Sequence, residues 1–540
     1  MKAGATFSAR KFVLRGSGFQ PRSNRGKMPL PKQRHKLPHN EIDFKIPPAP
    51  FVKGGKETID NPMPRHGRLT VNEVSDKPRE ACGIFGICGH PEAAALTYFG
   101  LYALQHRGQE SAGIAVARNE SIFAHRGMGL VPEVFDVNHL EELEGCCAIG
   151  HVRYSTTGSS ILTNAQPFIV RHRKKSYAIG HNGNITNALI LKEELEEAGS
   201  IFQSTMDSEV MLHLFVKNLK HGFEEALVRS VARLEGAFSF VMLTSRGEVI
   251  GIRDPHGFRP LCLGKINGSY VLASESCALD LVEAEFVREI EPGEIVIITR
   301  DGIRSIHTPA AHRRAFCIFE FIYFARPDSV IDGRNVYLIR KAFGRRLARE
   351  APVAADFVMP FPDSGTYAAV GYSQESGIPY EIGMIRNHYV GRTFIQPTQS
   401  MRDFGVRVKL NPVKELLRDK EIVIIDDSII RGTTVKTRVK ALRALGVKRV
   451  HMRISGPPHR FPCHYGIDFS TRGELIAAGR TEEELRRILG LDSLHYLSID
   501  GLLEATGVAD AANRFCKACF DGCYPVRFSD EVSKGCLEGP

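Results

Sequence analysis

Apolar and polar positions along residues 82–312 follow two different periods. Short runs rich in β-branched residues predict strands, and apolar residues three or four apart predict amphipathic helices. The two kinds of element do not alternate regularly, so the pattern favours a layered α+β domain. The predicted strands are Cys82–Ile87, Gly113–Ala117, Ala148–Tyr154, Tyr177–His181, Ala237–Leu243 and Glu294–Thr299, and the predicted helices are Ala93–Leu104, Ala188–Glu197 and Val210–Lys217.

Residues 313–540 instead show strand-like apolar runs that alternate with helical spacing. This alternation predicts parallel strands joined by crossover helices, in a doubly wound sheet. Thr481 and Glu484 form a capping-box pattern that starts one helix. The predicted strands are Asp356–Met359, Ile422–Ile425, Arg449–Ile454 and Leu494–Ile499, and the predicted helices are Val336–Arg349, one that begins at Thr433, Glu482–Leu489 and Leu502–Ala505.

The run Ile422–Ile425 ends in two adjacent carboxylates, Asp426 and Asp427, followed by a turn closed by Gly432. Open α/β sheets bind ligands at the carboxyl ends of their strands, and a helix N-terminus suits a phosphate. Carboxylates suit sugar hydroxyls and hydrated Mg2+. A ligand that carries a phosphate, a sugar diol and a metal-bound diphosphate matches both the helix N-terminus and the two carboxylates. The alternative is a plain strand–turn–helix with solvated aspartates.

This segment resembles the phosphoribosylpyrophosphate (PRPP) loop of type I phosphoribosyltransferases, and 360–366 resembles their pyrophosphate-binding loop. The resemblance implies that Ser364, with Asp426 and Asp427, organises Mg2+. Residues 391–402 correspond to a lid that closes over PRPP and carries Arg392, although they also read as a plain surface loop. The PRPP-binding residues implied are Asp426, Asp427, Ser428, Arg431, Gly432, Thr433, Thr434 and Arg392.

Five polar segments of the first region resemble the N-terminal-nucleophile glutaminase domain of class II glutamine amidotransferases, an αββα sandwich. They are Cys82-Gly83-Ile84, Gln105-His106-Arg107-Gly108-Gln109-Glu110, His151-Val152-Arg153-Tyr154-Ser155-Thr156, His181-Asn182-Gly183-Asn184 and Met206-Asp207-Ser208-Glu209.

In that family a cysteine at a free N-terminus attacks the glutamine carboxamide, and its own α-amino group, with a pKa near 8, acts as the base. A peptide nitrogen has no such basicity, so Cys82 can act only once residues 1–81 are removed. The alternative is a buried cysteine that opens a strand. The resemblance implies a nucleophile Cys82, an oxyanion hole of Asn182 and Gly183, and glutamine-binding residues Arg153 (α-carboxylate), Asp207 (α-ammonium) and Arg107.

Twelve cysteines without a secretion signal do not indicate a disulfide framework. We expect Cys146, Cys147, Cys262 and Cys277 to be buried thiols, and Cys88 and Cys536 to have no role. Taken alone, the pair Cys516 and Cys519 fits zinc, a redox disulfide or a cluster. The segments of Cys317, Cys463, Cys516 and Cys519 resemble those that bind a 4Fe–4S cluster in one branch of the amidophosphoribosyltransferase family. The resemblance implies a structural cluster on these four cysteines, with Cys523 as an alternative ligand.

The formal net charge of +10 over 540 residues is confined to one end of the chain. Residues 1–81 hold 17 Lys and Arg against 7 Asp and Glu, which leaves 54 of each sign in residues 82–540. The folded body is therefore not expected to bind nucleic acid. Residues 1–81 are Pro-rich and predicted to be disordered, as a propeptide, a transit peptide or the product of an upstream start codon. No apolar run could span a bilayer, so no membrane partner is expected.

A glutaminase (82–312) followed by a phosphoribosyltransferase (313–540) resembles the amidophosphoribosyltransferase family, in its iron–sulfur branch. The resemblance implies glutamine hydrolysis coupled to amination of PRPP in the first committed step of purine synthesis. It also implies Mg2+, inhibition by purine nucleotides, a homotetramer and a cytoplasmic location, with a plastid or another organelle left open by the extension. The alternatives are a PRPP or nucleotide sensor without catalysis and an unprocessed enzyme that uses only free ammonia.

Overall fold

The computed structural model of the chain describes residues 82–155, 158–309, 311, 313–387, 410–468, 471–526, 528 and 537. The strands of the first domain are β1 Gly83–Cys88, β2 Ser111–Arg118, β3 Ser121–Met128, β4 Cys147–Arg153, β5 Phe168–His172, β6 Lys175–Ile185, β7 Gly236–Thr244, β8 Val249–Arg253, β9 Cys262–Ile266, β10 Ser269–Ala273, β11 Glu285–Glu289, β12 Glu294–Thr299 and β13 Gly302–His307. Its helices are α1 Ala93–Ala103, α2 Val131–Val134, α3 Val137–Glu142, α4 Ala188–Glu197, α5 Ser208–Asn218, α6 Phe223–Val231 and α7 Ser276–Leu281.

In the second domain the strands are β14 Phe316–Cys317, β15 Val330–Ile331, β16 Arg334–Asn335, β17 Phe357–Pro360, β18 Met384–Arg386, β19 Leu410–Pro412, β20 Glu421–Asp426, β21 Arg449–Ile454, β22 Ser493–Tyr496 and β23 Phe515–Cys516. The helices are α8 Val336–Glu350, α9 Thr366–Ser376, α10 Lys414–Leu417, α11 Thr433–Ala444, α12 Glu482–Leu489, α13 Ile499–Ala505, α14 Ala511–Arg514 and α15 Ala518–Asp521, with a π-helical turn at Glu320–Phe324. Within the described residues, no helix is both long and apolar enough to cross a bilayer.

Two antiparallel sheets face each other in the first domain, in the orders β11-β9-β10-β1-β4-β2-β3 and β13-β12-β8-β7-β6-β5. Strand alternation divides their side chains between layers. Ile84 of β1 packs in the core between the sheets, whereas Phe85 and Ile87 pack beneath α1 and α7. Helices α4, α5 and α6 cover the outer face of the second sheet. The predicted αββα sandwich is confirmed.

The second domain has a parallel sheet in the order β17-β20-β21-β22. After α9 the chain returns on the far side of β17, where Val358 and Tyr380 form a parallel bridge. Winding therefore reverses between β17 and β20. Helices α8 and α9 cover the face that carries Val423, and α11 and α12 cover the face that carries Ile424. The sheet is doubly wound, as predicted, and its switch point is a place where such sheets bind ligands.

Most predicted elements of the second domain are confirmed, and one is corrected. The capping box of α12 forms, with Thr481 accepting a hydrogen bond from the Glu484 N–H. The predicted strand Leu494–Ile499 is too long, because β22 ends at Tyr496 and Ile499 is the first residue of α13. Ser498 explains the change: its hydroxyl caps α13 by accepting from the Gly501 N–H at 2.9 Å.

Candidate active site

Cys82 immediately precedes β1, beside the end of β4. Because Gly83 pairs with Val152, Cys82 comes next to Arg153 and Tyr154. Its Sγ donates to the Tyr154 carbonyl at 3.4 Å. Burial raises the pKa of the Cys82 thiol to about 11, although the Tyr154 contact and the Arg153 charge oppose the shift. The thiol is thus neutral at physiological pH, and a base must remove its proton before it can act as a nucleophile.

Asn182 and Gly183 occupy β6, in the second sheet of the sandwich. The Asn182 carboxamide is fully buried, and neither its Oδ1 nor its Nδ2 makes a hydrogen bond to any described residue. Gly183 has φ 143°, and a Cβ at this position would lie 2.0 Å from the Ala237 carbonyl oxygen, so only glycine fits. A buried amide without a partner costs stability, and such a cost is typical of a group kept for a ligand.

The buried charges of Arg153 and Asp207 and the partly buried Glu110 act electrostatically on the Cys82 thiol, Arg153 lowering its pKa and the two carboxylates raising it. Arg153 also lies 3.9 Å from Glu110. Asp207 contacts His181 Nδ1 at 3.2 Å and accepts from the Ile185 N–H at 2.9 Å. Burial raises the pKa of Asp207, but His181 and two backbone N–H groups outweigh it, so this pKa is lowered overall. The Arg153 guanidinium donates to the Ser159 carbonyl at 3.2 Å. The structure thus brings a thiol, a guanidinium and two carboxylates together.

His151 lies on β4, two residues before Arg153. Its Nε2 contacts the His181 carbonyl at 2.9 Å. Full burial lowers the pKa of His151 to about 3. The ring is therefore neutral at physiological pH, where it serves as a hydrogen-bonding element between the two sheets.

Arg107 contacts the backbone of Cys82 and belongs to a buried cluster of charges that sequence reasoning missed. Its Nε donates to the Cys82 carbonyl at 3.3 Å, and its Nη atoms contact Glu275 at 2.5 Å and Glu320 at 2.8 Å. Arg259 also contacts Glu320, at 3.1 Å. The guanidinium of Arg107 is thus occupied by two carboxylates, one from each domain. The only available signal was Glu320 itself, a charge within the apolar run 318–325.

At the switch point, β20 ends at Asp426 and Asp427 follows it, and both carboxylates are buried. The Ser364 hydroxyl donates to Asp426 Oδ1 at 3.4 Å, and the Asp427 N–H donates to the same oxygen at 3.0 Å. Ser428 Oγ donates to Asp427 Oδ1 at 2.5 Å. The loop after β17 therefore meets the loop after β20.

The turn after Ser428 leads directly into α11. Gly432 precedes this helix with φ 79°, and a Cβ there would lie 2.5 Å from Ile476 Cδ1. Thr433 and Thr434 form the first turn of α11. Arg431 Nη2 donates to Glu474 at 2.8 Å. The predicted lid and its Arg392 lie outside the described residues, as does the 1–81 extension.

Cys317, Cys463, Cys516 and Cys519 line one pocket between the domains, together with Phe258, Tyr465 and Tyr524. Cys317 and Cys516 are paired in the parallel strands β14 and β23. The Arg460 N–H donates to the Cys519 carbonyl at 3.0 Å, which holds the segment of Cys463 against α15. All four cysteines are free of disulfides. Cys523 is exposed and does not line the pocket.

No His, Cys, Asp or Glu group in the described part of the chain is spaced to hold a single metal ion. A four-iron cluster is larger than one ion, so thiolates around it stand further apart than those around zinc. Burial and mutual repulsion raise the pKa of Cys516 and Cys519 well above the ordinary range. Thiols in such a position become ligands only when a cation displaces their protons.

The structure also tests the predictions made for the cysteines outside this pocket. Cys147, Cys262 and Cys277 are buried thiols, as expected, but Cys146 is partly exposed and that prediction is wrong. Cys88, which was expected to have no role, lies with its Sγ 2.9 Å from that of Cys147. A register between strands distant in sequence brings this pair together, and no local pattern reports it.

Known proteins similar to this chain agree on one family. A model described as a glutamine amidotransferase domain matches residues 151–281. The amidophosphoribosyltransferase of Synechocystis sp. is 50% identical over 478 residues, which cover 87% of this chain and 96% of that protein. Amidophosphoribosyltransferase 1, chloroplastic, of Arabidopsis thaliana is 43% identical over 547 aligned positions, which cover 99% of this chain and 96% of that protein.

A solved structure is similar over the same region. The glutamine PRPP amidotransferase from B. subtilis, complexed with ADP and GMP, has 46% identity and a TM-score of 0.80, covering 85% of this chain and 100% of that one. Relatives of this identity and coverage share both the glutaminase sandwich and the phosphoribosyltransferase sheet. The chain therefore belongs to the amidophosphoribosyltransferases, the glutamine-dependent pentosyltransferases of the first step of purine biosynthesis.

Proposed function

We propose that Cys82 releases ammonia from glutamine and that the switch-point loops of the second domain hold the PRPP that accepts it. The products are glutamate, 5-phosphoribosylamine and pyrophosphate. This residue assignment is supported by the strand register that puts the buried Cys82 thiol next to Arg153, with the buried Asp207 carboxylate close enough to act on it electrostatically. A substrate with both an α-carboxylate and an α-ammonium group needs one charge of each sign beside the nucleophile.

The glutaminase step uses residues of the first domain. Once residues 1–81 are removed, the α-amino group of Cys82 takes the thiol proton, and Sγ attacks the carboxamide to give a thioester and ammonia. Asn182 Nδ2 and the Gly183 N–H stabilise the oxyanion as it develops. Arg153 binds the α-carboxylate and Asp207 the α-ammonium group. Arg107 acts on this site through the Cys82 carbonyl, since its charged end is held by Glu275 and Glu320.

The transfer step uses the two loops at the switch point. Asp426 and Asp427 orient the ribose hydroxyls, while Ser428, Arg431 and the turn Gly432-Thr433-Thr434 hold the 5-phosphate at the start of α11. Ser364, Asp426 and Asp427 offer the oxygen ligands that Mg2+ prefers. When bound, Mg2+ supplies positive charge that neutralises the departing pyrophosphate. Arg392 would add a further positive charge.

The four pocket cysteines fit a 4Fe–4S cluster rather than zinc. Their convergence from β14, β23, α15 and the loop of Cys463 supports a structural role, because the cluster would hold three separate segments together. Cys523 is not needed as a ligand. The test is iron and sulfide content with the visible absorption of anaerobically purified protein. A content of one or two zinc atoms per chain, with no iron, would contradict the assignment.

Regulation, assembly and location are further proposals. The B. subtilis relative was solved with ADP and GMP, which supports inhibition of this chain by purine nucleotides. A homotetramer is proposed from the family and is tested by light scattering. The match to a chloroplastic protein covers 99% of this chain, so a fluorescent fusion of residues 1–81 tests a plastid address against the predicted cytoplasmic one.

The deciding experiment measures glutamate release from glutamine with Mg2+, with and without PRPP, on anaerobically purified protein. Strong stimulation by PRPP is expected, and intact mass should give Cys82 as the first residue. Cys82→Ala should lose glutamate release but retain transfer from free ammonia. Asp427→Asn should lose both transfer and stimulation but retain basal glutamate release, and unchanged product formation would refute its assignment. A nucleotide sensor would show no turnover, and an unprocessed enzyme would use ammonia alone.

A further inference from the structure

Cys88 and Cys147 lie directly opposite each other on the antiparallel strands β1 and β4. Their Sγ atoms are 2.9 Å apart, and both residues are 2% exposed. Opposed residues of an antiparallel pair have Cα separations of about 4.5–5.5 Å, within the span of a disulfide. We propose that Cys88 and Cys147 form a redox-reactive dithiol that a peroxide oxidises to a cross-strand disulfide. This site is independent of the glutaminase and transferase assignments.

The surroundings of the pair favour a thiolate on one of the two sulfurs. The hydrogen bond with Cys88, the Gly89 N–H and the Arg300 guanidinium lower the pKa of Cys147, against the effect of burial. The Gly247 carbonyl oxygen lies 3.3 Å from the Cys88 Sγ, so it is an alternative acceptor for the single proton of that thiol. Cysteines beside an arginine and a backbone N–H are typical reactive thiols.

Access to the pair is narrow but present. The side chain of Arg300 is exposed, and Cys146, next to Cys147, is partly exposed, so the pair lies just beneath the surface at the end of the strands. Cys262 and Cys277, the other buried thiols of the first domain, have no thiol partner in the described contacts. A small oxidant such as hydrogen peroxide suits this narrow access better than a bulky disulfide.

The reaction needs one molecule of peroxide. The Cys147 thiolate attacks a peroxide oxygen, the O–O bond breaks, and the departing hydroxide takes a proton to become water, which leaves a sulfenic acid on Cys147. The Cys88 sulfur then attacks the Cys147 sulfur, the S–O bond breaks, and the Cys88 proton leaves with the hydroxyl as a second water. Two thiols are oxidised by two electrons, and the peroxide is reduced to two waters.

A disulfide here would join the two strands that carry Cys82 and Arg153 at their opposite ends. Because Gly83 pairs with Val152 at that other end, the new bond fixes the existing register without moving the nucleophile. Its expected consequence is a strand pair that resists unfolding, since a cross-link restricts the unfolded chain.

Cysteine-resolved mass spectrometry tests the proposal. Full-length protein purified anaerobically is treated with hydrogen peroxide, alkylated and digested without reduction. We expect a cross-linked peptide that joins Cys88 to Cys147 and that dithiothreitol removes. The peptide should be absent from Cys88→Ser and Cys147→Ser and present in Cys146→Ser, the matched control one residue away. An upward shift of the urea midpoint on oxidation, relative to Cys147→Ser treated alike, should accompany it.

Several outcomes would overturn the proposal. Recovery of Cys88 and Cys147 as alkylated thiols, under conditions that oxidise other cysteines, would show that the pair does not react. A sulfinic acid on Cys147 with a free Cys88 would show that the second step fails. A link between Cys146 and either partner would show that the pairing is wrong.

Discussion

Two kinds of buried polar group in the described residues differ in whether their side chains have partners. In the cluster of Arg107, Glu275, Glu320 and Arg259, each charged group contacts at least one opposite charge. The carboxamide of Asn182, equally buried, contacts no described hydrogen-bond partner. A satisfied buried group contributes to the fold, whereas an unsatisfied one costs stability and is retained for something that binds. The contrast therefore predicts that the charge cluster contributes to stability and that Asn182 contributes to catalysis.

Glu320→Gln tests the structural side of this contrast and should have the largest effect. The substitution leaves the positive charges of Arg107 and Arg259 buried with one carboxylate fewer between them. Breaking a buried ion pair from one side costs about 3–5 kcal/mol of unfolding free energy. We expect a correspondingly lower urea midpoint, followed by circular dichroism.

The control for Glu320 is an ion pair of similar length on the surface. Arg118 and Glu144 are 2.8 Å apart, with the Glu144 side chain 73% exposed. Glu144→Gln should change the urea midpoint far less, because solvent screens an exposed pair. Equal shifts for the two variants would show that the buried cluster is not a structural element.

Asn182→Ala tests the catalytic side. Loss of one oxyanion donor lowers kcat by about 10²–10³-fold in comparable acyl transfers. We expect such a fall in kcat for glutamine hydrolysis, with little change in KM. The urea midpoint should hardly move, because no hydrogen bond in the folded protein is lost. Steady-state glutamate release and urea unfolding measure the two quantities on the same preparation.

Asn218 provides the matched asparagine. Its Nδ2 donates to the Leu214 carbonyl at 3.0 Å and to Ser230 Oγ at 3.3 Å. Asn218→Ala should therefore lower stability and leave kcat unchanged, the reverse of Asn182→Ala. An Asn182→Ala enzyme with normal kcat, or one that is strongly destabilised, would break the comparison.

The same contrast explains what the sequence could predict. Strand β12 and helices α4 and α12 were predicted with the bounds that the structure has, because β12 is a continuous apolar run and each helix buries one face with a period of 3.6 residues. The edge strand β11 was missed, since three of its five residues are exposed and carry no such period. The paired carboxylates Asp426 and Asp427 and the glycine that closes their turn were also local signals, and from them the sequence predicted a ligand-binding loop at the switch point.

Partners that are distant in sequence left no such signal. Arg107 contacts Glu275 and Glu320 across 168 and 213 positions, and Cys88 meets Cys147 across 59. Each contact depends on a register or a domain junction, which single positions do not encode. Arg107 could be placed near the glutamine site from its motif, but its commitment to two carboxylates required coordinates.

His151 extends the comparison to pH and should give the smallest effect. Burial holds the pKa of His151 at about 3, well below the 6.5 of the unfolded chain. A depressed folded-state pKa means that the stability from this group is complete above pH 6.5 and is lost as the pH falls towards 3. Between pH 7.5 and 5.5 the loss is about 1.4 kcal/mol. His151→Gln should flatten the dependence of the urea midpoint on pH in this range, whereas His495→Gln, at a side chain 51% exposed, should retain it. If the urea midpoints of wild type and His151→Gln instead changed with pH in parallel, the His151 imidazole would be protonated in the folded protein. It would then be a buried charge, like those in the cluster of Arg107.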